Sequence, residues 1–591
     1  MLLDSPFSPF LNTNYAPSAR EIGQINDLLI DPVEKLRKLD EEISQLQAQR
    51  NRLQAFIDNH RALISPFRRL PADVWSEISI QCLPSPEFPV RSIAEAPLLL
   101  TAICRPWREI ALKTPRIWNS LHVNIPDRHL KVDLERYVAI MRARLDGVKL
   151  WLQRSGSIPL RLSISVGVPS PDHDWDWGSP VHDEEVYHAE ELAVVLLQHS
   201  RRWETLSLNR VSRQVLQMLA GGDAPQLNKL MVVSPHLHFW GSDPGSQSND
   251  FFTSVTDTLE KWRVRALHTE RIPEHVLVSR APHWARLTEL RVISPINDLP
   301  CLFISKITEL CPLLVQCTLK FSHYRHDPTS GPAPEPFSGQ PRKWSNLQKL
   351  ALSFLGYSPG RHGSLLLDDI SNTFGVFTAP SLTDLGLSLY NWDYSSVALL
   401  KRIPETPFHR FLLRSGSGTT LTRLAVDLPL REDVLIDSLQ VLTSLTELKI
   451  GRGGGADVES WGGSSSVGSR DRDPLINERL LQALTPAPHN SIICPNLKDL
   501  DLSTPSSHHV YALVRLASSR ANGTSRTARL ESFKVSFGEQ LKWVVELLTC
   551  QHVQSALEEV RSKGVRVVWE WSAPQNRRID GPRDGMICVT D

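Results

Sequence analysis

The chain has 591 residues, 41% of them hydrophobic and 22% charged, and its 65 Lys+Arg balance 65 Asp+Glu. This is the composition of a folded, soluble protein rather than a disordered one. The balanced charge argues against nucleic acid or a membrane surface as the partner of the whole chain. The length exceeds one ordinary core and points to several domains or one elongated repeat array.

The N-terminus lacks a basic start followed by an apolar stretch, and no run approaches the ~18 apolar residues of a membrane span. A cytoplasmic and/or nuclear location is the expectation. The eight cysteines include no CxxC pair and mostly sit in apolar runs, so they read as buried small side chains in a reducing compartment.

Residues 1–28, rich in Pro, Ser and Asn, read as a disordered lead. Asp31-Pro32-Val33-Glu34 then has the chemistry of a helix start, with Asp31 to cap, Pro32 at the first position and Glu34 to reach back. Two rows follow at heptad spacing: Leu29, Leu36, Ile43, Arg50, Ile57 and Ile64, and Leu39, Leu46 and Leu53. They share one face, predicting an amphipathic or coiled-coil helix over 29–64. Self-association and packing on the same chain are both open for it.

Residues 65–121 predict two helical segments and a tail. Leu70, Val74, Ile78 and Cys82 recur at four, after Pro71. Beyond the Pro-rich break 84–89, Leu100, Ile103, Trp107, Ile110 and Ala111 recur at three and four until Thr114-Pro115. Trp118, Leu121, Val123 and Ile125 lead into an extended segment. So small a helical pair cannot bury both of its faces by itself.

From about 146 the texture changes. Leu150, Leu152, Leu160, Leu162 and Ile164 alternate like a strand. One pattern, apolar-x-x-Leu-x-apolar, then returns. Its copies begin at Trp203, Leu227, Leu287, Leu314, Leu347, Leu382, Leu421, Leu445, Leu497 and Leu530, with a degenerate copy at Val264 and Leu267. Several are introduced by Pro or Trp. This is the strand core of a leucine-rich repeat, in which short strands turn their leucines inward, pair in parallel, and are joined by returning helices such as Glu191–Gln198, Val211–Leu219 and Ser396–Ile403. The irregular spacing predicts an irregular array over 122–572. Compositionally flexible insertions interrupt it near 323–342 and 451–472. Leu541–Arg561 reads as a helix ended by Gly564, with Val565, Val567, Trp569 and Trp571 as a last strand, and 573–591 as a loose tail.

Chemistry-bearing motifs are weak. Asp172–Asp176, with His173, His182, Asp183, Glu184, Glu185 and His188, offers ligand types at no established metal spacing and reads as a solvated acidic loop. Gly451–Ala456 follows a strand but opens no helix, so a dinucleotide loop is not supported. No catalytic, cofactor or metal residue is assigned, and no enzyme activity is expected. Lys229, Glu289, Lys349, Asp384 and Asp499 fall on solvent-facing strand positions and are candidates for ligand contact.

Ile64–Ile78, with Leu70-Pro71 and the Val74/Ile78 helix, resembles the start of an F-box. Ala96–Ala111, containing Ile103-Cys104-Arg105-Pro106-Trp107, and Thr114–Trp118 resemble its second half as found in a large fungal F-box family with a preceding coiled-coil helix. Leu150–Leu160 resembles the segment that commonly follows there, ahead of leucine-rich repeats. Two positions depart: Ser79 stands where an aromatic usually follows Ile78, and Pro106 lies inside the second helix. The resemblance implies an α/β protein in which a long amphipathic helix and F-box helices precede an irregular leucine-rich-repeat solenoid with a parallel sheet. It implies docking on a Skp-type adaptor, and through it on a cullin–RING (SCF-type) ubiquitin ligase, with the repeats binding an unknown protein substrate. The adaptor anchors would be Leu70, Pro71, Val74, Ile78, Leu83, Ile103, Trp107 and Ile110, some of which instead pack within the motif. The alternative is a leucine-rich-repeat scaffold acting outside a ligase.

Overall fold

The first helix starts earlier than Pro32. The computed structural model describes residues 5–571 apart from 65, 85–87, 126–133, 167–182, 234–254, 256–258, 260, 270–271, 273–282, 294–299, 323–339, 356–369, 371, 391–406, 429, 452–475, 487–491, 504–508, 525 and 538–549. Helix α1 spans Ala19–Ile64. Its capping box is Ser18 with Glu21, whose carboxylate accepts from the Ser18 amide at 2.7 Å and hydroxyl at 2.6 Å. The last ten residues of the segment expected to be without order, 19–28, are therefore helical. Pro32 lies inside the helix, where it removes one backbone bond without ending the element. Glu34 pairs with Arg37 and Lys38, Arg37 with Glu41, and Asp31 with Lys35, bracing the helix surface one turn at a time.

The chain divides into two compact units, 1–78 and 79–591. Helix α2, Ala72–Gln81, carries the boundary. In the second unit the single helix expected over 100–111 is two: α3, Leu98–Ile103, and α4, Arg105–Lys113, separated by an extended Cys104. The Pro106 ring would strike the carbonyl four residues back in a continuous helix. In the first turn of α4 its missing N–H has no partner to lose.

Strand β1 is Ser120–Ile125 and β2 is Leu160–Val166. Between them Leu134–Arg154 forms α5, so Leu150 and Leu152 are helical rather than extended. The buried face of α5, Tyr137, Met141, Val148, Trp151 and Leu152, keeps helical spacing and overrides the short local alternation.

Every copy of the apolar-x-x-Leu motif supplies a strand. These are β3 Trp203–Asn209, β4 Lys229–Val233, β5 Ala266–Thr269, β6 Glu289–Ile293, β7 Gln316–Ser322, β9 Lys349–Leu355, β11 Asp384–Tyr390, β12 Arg423–Asp427, β13 Glu447–Ile450, β14 Asp499–Ser503 and β15 Ser532–Phe537, followed by β16 Arg566–Trp571. With β1 and β2 they form one 14-stranded sheet in chain order, parallel at each pairing. Arg342–Lys343 (β8) and Phe377–Thr378 (β10) make a separate parallel pair, which the sequence did not suggest. Register follows the leucines: Leu290, Cys317, Leu350, Leu385, Leu424 and Leu448 are successive partners. A slip of one residue would turn each of these side chains to the opposite face. The interval between successive positions is elastic, from 23 residues (Leu267 to Leu290) to 52 (Leu448 to Leu500).

The connecting helices bury apolar stripes in the same core as the inward strand residues. Val215, Leu216 and Leu219 of Arg213–Ala220 are examples. Three of the tryptophans that precede strands also tie them to the preceding turn. The indole N–H of Trp118, Trp262 and Trp344 donates to the carbonyls of Ala111, Gly222 and Cys311 at 2.8, 3.2 and 3.3 Å. Each acceptor lies in the last turn of a helix or just beyond it, and the Ala111 and Cys311 carbonyls also accept the Thr114 and Leu314 amides at 3.3 and 3.2 Å.

A second device lies in Leu-Thr-x-Leu, present at 287–290, 382–385, 421–424 and 445–448. The Thr422 carbonyl accepts the amides of Thr446 and Glu447, both at 2.9 Å, and the Thr422 hydroxyl donates to the Thr383 carbonyl at 3.0 Å. Thr383 and Thr446 repeat this arrangement.

The last helix, Gln551–Ser562, ends at Gly564 with φ 79°, the left-handed geometry that glycine permits. The parts of the expected elements at 323–339, 396–403, 452–472, 541–549 and 573–591 lie outside the described residues. Cys301, Cys311, Cys317 and Cys494 are buried, and burial pushes the Cys311 and Cys494 thiols up to about 12. Cys82, Cys104 and Cys550 are exposed, so the reading of the cysteines as buried holds for only part of the set, and Cys588 is outside the described residues. Among the described residues no helix is long and apolar enough to cross a membrane.

Arg520 is fully buried and serves as a polar rivet. Its guanidinium donates to the carbonyls of Leu484, Cys494 and Ile493 at 2.8, 3.1 and 2.7 Å. Arg520→Met keeps the bulk but strands three buried acceptors, and should lower unfolding stability by about 3 kcal/mol. An unchanged urea midpoint would show that these bonds contribute nothing net.

Candidate functional site

The residues expected to dock are not equivalent. In the first unit Pro71 and Val74 are exposed, Val74 at 39%, while Leu70 and Ile78 are half-buried. Ser79, at the start of the second unit, has no exposed surface. Its small side chain occupies a fully enclosed position.

In the second unit, Leu83 and Trp107 are half-buried and pack on the main core. They are supports of the fold. Ile110 is half-buried. Ile103 at the end of α3 is 51% exposed, and Leu99 and Leu112 are exposed as well. The sequence reading missed Leu99 because Leu98-Leu99-Leu100 is apolar throughout and hides which side faces out. The break at Cys104 is held closed by Arg108, whose Nε donates to the Thr101 carbonyl at 2.7 Å. Arg105 and Glu109 pair at 3.0 Å on the surface of α4.

Two stretches that are distant in sequence meet behind this pair of helices. Trp118 stacks edge-on against Trp151 with ring centroids 4.9 Å apart, and the Arg154 guanidinium lies 4.7 Å over the Trp118 ring. The stretch after the Pro-rich break is also anchored. Phe88 and Val90 are buried in a small cluster with Met231, the Pro89 carbonyl accepts from the His122 amide at 2.8 Å, and Arg161 covers the Phe88 ring. Leu100 of α3 and Ala111 of α4 are buried in the main core with Trp118 and Trp151.

The second candidate surface is the polar face of the sheet. Lys229, Glu289, Lys349, Asp384 and Asp499 fall on one register row, with Ala266, Gln316, Arg423 and Glu447 between them. Charges alternate along part of it. Arg423 lies 3.8 Å from Asp384 and 2.8 Å from Glu447. Asp499 follows Glu447. Burial raises its pKa, and Glu447 and Glu531 add to the effect, with Lys498 and Arg423 pulling it down. Burial raises Asp384 too, against the pull of Arg423 and Lys349.

A tight polar group on this face joins β4, β5 and β6. His268 Nε2 is 2.5 Å and Lys229 Nζ 3.1 Å from the same Glu289 oxygen. Burial disfavours the Glu289 charge, but the His268 hydrogen bond and Lys229 outweigh it and hold the carboxyl down at about 2. Burial lowers the His268 pKa, against the raising pull of the Glu289 hydrogen bond and charge. The sequence reading picked Lys229 and Glu289 but passed over His268, which sits in the degenerate copy of the repeat.

For metal chemistry, Asp172–Asp176 and His182 lie outside the described residues. His188 is buried, with its Nδ1 3.0 Å from Glu191. Among the described residues no group of three His, Cys, Asp or Glu is placed to hold a metal ion.

A scan against models of known protein families finds no match for the chain, and a search of curated proteins finds none either.

A carboxyl whose pKa is depressed on folding stabilises the fold above its unfolded value, and that contribution is lost as pH falls toward the folded value. Glu289→Gln should therefore lower stability at pH 7. The gap between native and variant should close between pH 4.5 and about 2. Urea unfolding at stepped pH checks this, and a pH-independent gap would contradict it.

Proposed function

We propose that the chain is an F-box substrate-recognition subunit. In this reading the 66–112 segment docks on a Skp-type adaptor of a cullin–RING ubiquitin ligase, and the parallel-sheet unit is an irregular leucine-rich-repeat solenoid whose polar face binds a target protein. It works by binding: the target is held near a catalytic subunit, and the chain contributes proximity rather than reacting groups.

The observation that carries the reading is the division of labour among the motif's apolar residues. Leu83 and Trp107 are committed to the core, whereas Pro71, Val74 and Ile103 remain at the surface as β-branched or rigid apolar side chains. Exposed side chains of this kind on short helices suit a partner that supplies the missing apolar wall. The repeat reading is supported by in-order parallel pairing, inward apolar rows in register, and elastic connections.

Co-purification with a Skp-type adaptor tests the first half. Val74→Glu and Ile103→Glu change exposed positions and leave Leu83 and Trp107 in place. Each should weaken adaptor binding by about 10- to 100-fold with little change in stability. A native chain that binds targets but no adaptor would be a scaffold instead. Target binding is expected to fall when charges on the sheet row are reversed, as in Asp384→Lys with Asp499→Lys, and adaptor binding to be unaffected.

A further inference from the structure

The apolar seam of α1 runs further than 29–64. Ile22 and Ile25 extend both rows toward the helix start at Ala19, so seam positions recur from 22 to 64, interrupted by Pro32, Arg50 and His60. No residue of this helix is buried. Leu36 is 59% and Leu53 64% exposed, and Leu28, Val33, Phe56 and Leu63 widen the exposed stripe near its two ends. A helix of this length, with ion pairs on its outer surface and leucines in water along the other, lacks the packing that ordinarily stabilises long helices.

We propose that α1 pairs with α1 of a second copy of this chain as a parallel, in-register two-stranded coiled coil. Charge selects this occupant. In such a pair the residue before each first-row position faces the residue five places on in the other copy. Lys35, which pairs with Asp31 along its own helix, then also faces Asp40, Phe56 faces Arg61 and Leu28 faces Val33, while Glu42 meets Gln47 and Gln49 meets Gln54. One attraction, one ring–cation contact and one apolar contact recur on both sides, and no like charges meet along these flanks. Reversing one helix with the seam matched would place Lys35 against Phe56 and Asp40 against Gln47, and the attraction is lost. Arg50 meets its own counterpart in the seam. A single charged layer of this kind weakens a coiled coil but penalises shifted alignments, because only the in-register pair confines both charges to one layer. The ten apolar seam residues of each copy, losing on the order of 60–80 Å² apiece, would bury about 1,200–1,600 Å², the size of a specific interface. The pairing stands apart from the adaptor reading. It would give each assembly two target-binding faces, with the gain in avidity that two linked sites bring.

Light scattering and sedimentation of the purified full chain at micromolar concentration should give twice the 66.6 kDa chain mass. Leu39→Lys with Leu46→Lys should weaken the dimer at least 100-fold. Mixing equal amounts of native chain and a tagged Arg50→Glu variant should give more mixed dimers than the half expected from random exchange, because glutamate then faces arginine. A monomeric native chain, or a dimer that survives the double substitution, overturns the pairing. Random mixing overturns the parallel register.

Discussion

The rest of the second unit depends on one constraint: parallel strands, each too short to bury its own leucines, must present them in the same row. Leu350 has value only because Cys317 and Leu385 flank it at matching height. A strand displaced by one residue loses the whole inward set at once. Register is therefore fixed by burial, and the polar face inherits it. Glu289, Lys349, Asp384 and Arg423 share a row because the leucines one position on from Glu289, Lys349, Asp384 and Arg423 do.

That constraint leaves the connections free. Intervals between successive strands vary more than twofold, yet several strand entrances share a uniform build. The uniformity comes from small local devices: threonine hydroxyls and carbonyls shared between neighbouring strands, tryptophan N–H groups reaching the end of a preceding helix, and Arg520 gathering three carbonyls. These satisfy the polar backbone where chain reversals would otherwise leave it unpaired. A sheet of this kind tolerates insertions between strands and resists changes within them, which suits a surface that must stay rigid while its loops vary.

Much of the sheet was legible in the sequence, because inward leucines leave a pattern at fixed offsets. All strands of the large sheet were anticipated, including the degenerate copy at Val264–Leu267. Helix limits were less so. Pro32 resembles a helix start, but the Ser18–Glu21 box upstream had already begun the helix. Leu150 and Leu152 look like a strand until the longer period from Tyr137 to Trp151 is read with them. Pro106 was seen, but its consequence, two helices parted at Cys104, follows from the clash with a carbonyl four residues back. Outward and inward anchors around α3 could not be separated from periodicity, because exposure depends on a core assembled from residues much later in the chain. Leu-Thr-x-Leu was visible all along. Its threonines matter through backbone carbonyls, which composition does not advertise.

The docking proposal is tested most directly by hydrogen–deuterium exchange on the full chain with and without a Skp-type adaptor. Slower exchange confined to residues 70–81 and 98–112, with the sheet strands unchanged, is the predicted result. Unchanged exchange in both helical segments at saturating adaptor would contradict the assignment of this chain as an adaptor-docked recognition subunit.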